Sequence, residues 1–265
     1  MRKSILLLIV VGFSSLGFAQ AKAKQEVPLE GAIQGDATAN CDVKYSSGIS
    51  TTTTQFCVTV NGNIPQFSVA TEQMMGIAEG YGVCDTTSNT SYYDYAQSDS
   101  GNWKSPTFTH NGNVITIKRA TSDGLWELTQ TITNEPASSA GFGSAKVSMK
   151  LQNLSGTTRS AQLIRYADVD ANSDFTNHFD ATSTSAIGLD ADFNHGLMIT
   201  NNTFNNNYGY LTYVLDIAGL PDPCNPFAYL PSTLPYIGDG SIVSFWDFTI
   251  AHKGTASVVS TYKGI

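Results

Sequence analysis

Apolar side chains recur at every second position through several stretches of this 265-residue chain, and polar turns separate those stretches. In Leu125–Ile132, Trp126, Leu128 and Ile132 share one face, and Val147, Met149 and Leu151 alternate with Ser148, Lys150 and Gln152. A period of two puts alternate residues on opposite sides of an extended backbone, so each run reads as a half-buried strand. Asn61-Gly62 lies between Phe56–Val60 and Ile64–Phe67, and Asn111-Gly112 between Thr107–Thr109 and Val114–Ile117. Asn-Gly tolerates the positive φ values of a type I′ turn, so each site predicts a hairpin. Further strands are expected at Ser160–Tyr166, after the Asn153–Gly156 turn, and at Gly196–Thr200, Tyr208–Leu215, Ser241–Ile250 and Ser257–Tyr262. Only Ala70–Ala78 reads as a short helix, with Thr71 as its cap.

The chain contains 29 Thr, 27 Ser and 18 Asn against only 14% charged residues, so its polarity is carried by neutral groups. A helical bundle would draw instead on Ala, Leu, Glu and Lys. Abundant Tyr, Phe, Val and Ile exclude disorder by supplying a core. About fifteen short strands with no interior linker predict an all-β fold. The expectation is a large two-sheet antiparallel β-sandwich, a single domain over 41–265, preceded by a lead-in over 22–40.

Residues 1–21 read as a secretory signal peptide: Arg2-Lys3, the apolar run Ile5–Phe13, then Ala19-Gln20-Ala21 for cleavage. That run is too short to span a bilayer, so the expected location is secreted or periplasmic, in a bacterium. Without the leader the charge becomes −10, which disfavours a nucleic-acid partner. Export brings Cys41, Cys57, Cys84 and Cys224 into an oxidising compartment, where two disulfides are the default. Three pairings are open. A hairpin turning near Ser47-Gly48 favours Cys41–Cys57, leaving Cys84–Cys224 to join distant loops.

Two clusters carry candidate chemistry. In Asp168-Val-Asp170-Ala-Asn172-Ser-Asp174 alternate oxygen-bearing side chains can converge on a hard cation, so Asp168, Asp170, Asn172 and Asp174 are candidate ligands for a structural Ca²⁺. Ser173 and Phe179 stand where an EF-hand needs Gly and Glu, which rules that motif out. Asp168 and Asp170 could instead serve as a catalytic acid pair, and Asp190-Ala-Asp192 repeats the spacing. His178, near Asp174 and Asp180, suggests a mixed His/carboxylate site. The second cluster is Tyr92, Tyr93, Tyr95 and Trp103, set among short polar residues. Flat rings beside amides and carboxylates suit sugar binding, while the favoured alternative is that the same rings cover the end of a sandwich. A weaker grouping of this kind is 205–207 with Tyr208 and Tyr210.

Between Leu125 and Asp170, a strand ending in Thr133-Asn134, the segment Val147–Gly156 and a strand carrying Arg165-Tyr166 follow one another in an order that resembles the core of galactose-mutarotase-like supersandwich proteins. The resemblance covers about a fifth of the chain. It implies a supersandwich-like architecture, which also occurs in non-catalytic sugar-associated domains. Arg165-Tyr166-Ala167 stands where the enzymes of that family would present a His followed by aromatic residues. The expectation is an exported, non-catalytic protein that binds glycan or a related ligand. The alternatives are a carbohydrate-active enzyme using Asp168 or Asp170, and a structural surface or matrix protein.

Overall fold

The computed structural model describes residues 41–265 except 50, 77, 97, 140, 204–207 and 217–219. The expected leader, the lead-in and the 205–207 grouping lie outside the described residues. Strands β1 (Val43–Ser47), β2 (Thr54–Val58), β3 (Gln66–Val69) and β4 (Glu72–Gln73) form a four-stranded antiparallel meander. The next strands are β5 (Glu79–Asp85), β6 (Thr90–Asp94), β7 (Thr107–Asn111), β8 (Val114–Ala120), β9 (Trp126–Glu135), β10 (Ser144–Asn153) and β11 (Arg159–Val169). After a single 3-10 turn at Ala171–Ser173 come β12 (Asn177–Ala181), β13 (Ser185–Leu189), β14 (Gly196–Asn201), β15 (Gly209–Leu215), β16 (Tyr236–Gly238), β17 (Gly240–Ile250) and β18 (Thr255–Gly264).

These strands build a nine-stranded sheet in the order β16-β12-β13-β14-β18-β10-β9-β8-β7 and a five-stranded sheet in the order β15-β17-β11-β5-β6. Every strand pair is antiparallel. The fold is an all-β sandwich. One contiguous core takes Leu128, Val147 and Val258 from the large sheet, Val83, Leu163 and Trp246 from the five-stranded sheet, and Phe56 and Phe67 from the meander. The expected alternation holds on β9 and β10, where every second residue is buried. A second cluster, with Ile164, Tyr166, Val243 and Phe245, lies on the other face of the five-stranded sheet. β11 therefore buries both of its faces, as a central strand covered on each side must.

What covers that outer face is the Pro-rich segment. Phe227 packs on Tyr213 and Phe245, the Tyr95 hydroxyl donates to the Pro221 carbonyl, and the Tyr213 hydroxyl donates to that of Pro226. A Cβ on Gly82 would lie 2.4 Å from Pro223 Cγ, so glycine is what lets the segment approach β5. The Cys84–Cys224 disulfide fastens this cover to β5, and Cys41–Cys57 closes the β1–β2 hairpin, which is the favoured pairing.

Three local expectations change. The described residues of 70–78 are not helical: Ala70 has φ +52°, Glu72 and Gln73 pair with β3, and Met74 and Met75 are buried in the core. Tertiary pairing overrides the weak helical propensity there. The β7–β8 turn has only Gly112-Asn113 between paired Asn111 and Val114, with positive φ at Gly112 alone, the pattern of a II′ rather than a I′ turn. At Asn61-Gly62 the hairpin exists, but the loop joining β2 to β3 turns inward after the exposed Val60. Gly62, Asn63, Ile64 and Pro65 are buried, and the loop runs into the core.

A buried loop must have its backbone groups satisfied from within. Arg165 and Glu79, both fully buried, do this. Arg165 Nη1 donates to the Gly62 carbonyl at 3.1 Å and to Gln130 Oε1 at 2.7 Å, and the Ile64 N–H donates to Glu79. The two charges pair at 2.5 Å, and the Tyr262 hydroxyl donates to Glu79 at 2.7 Å while accepting from Arg165. Asn63 Nδ2 continues the network to the Glu79 carbonyl and to Asp94.

Removing one member of a buried ion pair strands the other. Arg165→Met is expected to lower stability by about 3–5 kcal/mol. The double variant Arg165→Met/Glu79→Leu should recover a substantial part of that loss in urea denaturation; equal stability of the single variant and the wild type would refute this account of the core.

Candidate functional site

The four aromatic residues do not form one cluster: Tyr92 and Trp103 join the main core, whereas Tyr93 and Tyr95 lie with the second cluster on the other face of the five-stranded sheet. Trp103 is 7% exposed, and its ring meets Tyr81 and Tyr92 edge-on while the Arg119 guanidinium lies over it at 5.5 Å. Arg119 in turn pairs with Asp94 at 2.6 Å and donates to the Tyr81 hydroxyl. Tyr92 is buried and donates to Asp123 at 2.5 Å, and Tyr95 is buried under the Pro-rich cover. Burial, reinforced by the Asp123 contact, pushes the Tyr92 hydroxyl well above the ordinary tyrosine range. Tyr93 alone is partly exposed, stacked on Tyr95. The sugar-platform expectation is corrected for Tyr92, Tyr95 and Trp103, all buried: Tyr92 faces the main core from β6, Trp103 packs against it under Arg119, and Tyr95 is covered by the Pro-rich segment.

The acidic run is also partly regrouped. Asp168, at the end of β11, and Asp170 come within 4.8 Å of each other and of Asp239, a distant residue between β16 and β17. Asp168 is 4% exposed and Asp170 5%. Ser241 donates to Asp168, and the neighbouring Tyr166 hydroxyl is raised by burial and by that carboxylate. A Cβ on Gly76 would fall 2.6 Å and 2.7 Å from the Asp170 and Asp168 carboxylates, so a glycine opens the space in front of them. Asn172 and Asp174 are not drawn into this group in the same way. Asn172 is exposed with φ +59°, and Asp174 accepts the Thr176 N–H at 2.9 Å. His178 stacks on Phe193 and forms no ligand group with Asp174 or Asp180 among the described residues.

Sequence reasoning missed two features. One is a group of Glu72, Asp190 and His195, with His195 Nδ1 2.8 Å from Glu72 Oε2. The other is an open groove of about 450 Å³ on the outer face of the nine-stranded sheet. Its floor follows from register: Ser144 sits opposite Lys263 and Lys146 opposite Thr261 on β10 and β18, so their side chains share one face. Glu135 and Asn202 flank them, held by the Ser144 hydroxyl at 2.6 Å and the Thr261 hydroxyl at 2.7 Å, and Phe142 gives an apolar wall. Two lysines and one glutamate therefore line the groove, in a chain whose net charge is −8. The signal for this was present as outward polar residues on β10 and β18, but only strand register shows that they are neighbours.

No protein-family model and no curated protein sequence matches the chain. Among solved structures, a bacterial glucoamylase complexed with acarbose superposes with TM-score 0.56 at 10% identity, over 86% of this chain and 32% of the glucoamylase. A mutant of heparan sulfate lyase HepC from Pedobacter heparinus gives 0.47 at 10% identity, over 83% and 34%. An Escherichia coli K12 protein assigned by name as an aldose 1-epimerase gives 0.47 at 8%, over 84% and 99%. The chain spans about a third of the glucoamylase and of the lyase. The glucoamylase match establishes a shared fold, and fold alone does not carry function.

If Trp103 is core, Trp103→Ala should cost about 3–5 kcal/mol in chemical denaturation. A stability change below about 1 kcal/mol, the range of exposed positions, would return the ring to the surface.

Proposed function

We propose that the chain is an exported, non-catalytic β-sandwich module that binds glycan in the groove over β10 and β18. The observation that carries this reading is the groove itself: hydroxyl, amide and charged groups set on a rigid sheet beside one apolar wall, which is the composition a saccharide requires. The fold shared with part of a bacterial glucoamylase supports a sugar-related role. Export is supported by the leader-like residues 1–21 and by the pairing of all four cysteines. No helix of the described residues is long and apolar enough to cross a membrane. The lysines favour a saccharide bearing carboxylate or sulfate groups, because Lys146 and Lys263 outnumber Glu135.

Catalysis by Asp168 or Asp170 is the weaker reading, since both residues are buried, at 4% and 5% exposed. Their use as calcium ligands fits better: oxygen donors only, clustered, at the end of a strand, with Asp239 as the third carboxylate.

Lys146→Ala/Lys263→Ala should weaken binding of uronate- or sulfate-containing oligosaccharides at least tenfold while leaving the melting temperature within a few degrees. Unchanged affinity in calorimetry, or no binding by the wild type across a panel of such glycans, counts against the groove. For calcium, a chelator should lower the melting temperature of the wild type and leave Asp170→Ala unaffected; identical wild-type melting curves with calcium and with chelator would exclude the ion.

A further inference from the structure

We propose that Glu72, Asp190 and His195 form a binding site for one divalent transition-metal ion of the zinc class. This does not rest on the glycan reading. One ligand atom from each residue lies within 4.8 Å of the others. Zinc holds imidazole and carboxylate at roughly 2.0–2.2 Å, which separates its tetrahedral ligands by about 3.3 Å. The 2.8 Å between His195 Nδ1 and Glu72 Oε2 is therefore within a small outward movement of the required geometry. Both of these atoms are shielded from solvent, although their side chains are 24% and 29% exposed. An imidazole ligand selects against calcium and magnesium, which take oxygen donors, and in favour of zinc-like ions.

The ligand set is built before any ion arrives. Asp190 and His195 stand at the two ends of the loop between β13 and β14, which is closed by the Asp190 N–H donating to the His195 carbonyl at 2.9 Å. The Asp190 carboxylate, only 3% exposed, accepts the N–H groups of Asn194 at 2.8 Å and His195 at 3.3 Å. That fixes its position, as hydrogen-bonded carboxylate ligands in metal sites are fixed. Glu72 comes from β4 of the meander, so an ion here would tie the four-stranded sheet to the nine-stranded one. Three protein ligands leave a coordination position for water or a bound group. Phe142, whose ring meets His195 at 6.3 Å, also lines the groove, which places the metal next to it through a single side chain. All four cysteines are paired, so no thiolate competes.

The test is a zinc titration of the chelator-treated, disulfide-intact chain by calorimetry, with melting temperature measured in parallel. The expected result is one ion per chain and a higher melting temperature on zinc addition. His195→Gln and Glu72→Gln should each weaken zinc binding at least tenfold and abolish the rise, while His178→Gln retains both. Absence of zinc binding by the wild type overturns the proposal, as does wild-type zinc affinity in folded His195→Gln and Glu72→Gln. Should His195→Gln fail to fold, Glu72→Gln, on a two-residue edge strand, decides by itself: loss of the zinc-dependent melting rise supports the site and its retention refutes it.

Discussion

The ion pair between Glu79 and Arg165 is the contact on which the rest of the sandwich depends. Both charges are fully buried, and desolvation of that kind is tolerated only when the geometry is close and the remaining donors and acceptors are occupied. Here they are. Arg165 serves Glu79, Tyr262, Gln130 and the Gly62 carbonyl, and Glu79 takes the Ile64 N–H and the Tyr262 hydroxyl. Burial pushes the Glu79 carboxyl up, while Arg165, the Ile64 N–H and Tyr262 pull it back. The network spans both large sheets, through β5 and β11 on one side and β9 and β18 on the other. It also admits the β2–β3 loop of the meander into the core.

Asn63 extends this arrangement to a second buried pair. Its amide reaches the Glu79 carbonyl and Asp94, and Asp94 pairs with Arg119, over which Trp103 is packed. A third anchor is Asp85, which accepts from the Trp126 indole and from Arg159. Buried polar groups thus sit at the junctions between sheets, whereas the uninterrupted apolar core lies within them. The groove over β10 and β18 lies at the sheet surface and the β13–β14 loop stands beside Glu72, whereas the carboxylates of Asp168 and Asp170 around Gly76 are buried.

Much of the strand content was legible in the sequence, because a period of two is a local property. The faces of β9 and β10, the four late strands and the Asn153 turn all follow from neighbours within a few residues; Asn153 is buried and caps its own turn through Ser155. The favoured disulfide pairing was legible for the same reason, since a short hairpin sets Cys41 beside Cys57. Residues 70–78 were misread because Ala, Met and Glu carry helical propensity that a pairing with β3 outweighs. Tyr92, Tyr93, Tyr95 and Trp103 were legible as an aromatic-rich stretch but not as two groups on opposite faces of one sheet, because aromatic spacing does not say which way a ring faces.

By itself, the sequence determined an antiparallel all-β sandwich with neutral polar turns and paired cysteines, and it singled out Asp168 and Asp170 as neighbours two residues apart. Only the tertiary structure decided what stands next to them. Asp239 joins those two carboxylates across some seventy positions, Glu72 meets His195 from a different sheet, and Lys146 and Lys263 become groove partners through the register of β10 and β18. Strand alternation is encoded residue by residue, whereas sheet order and register arise from how the whole chain buries its apolar faces at once. Sites assembled across strands are therefore absent from any local pattern.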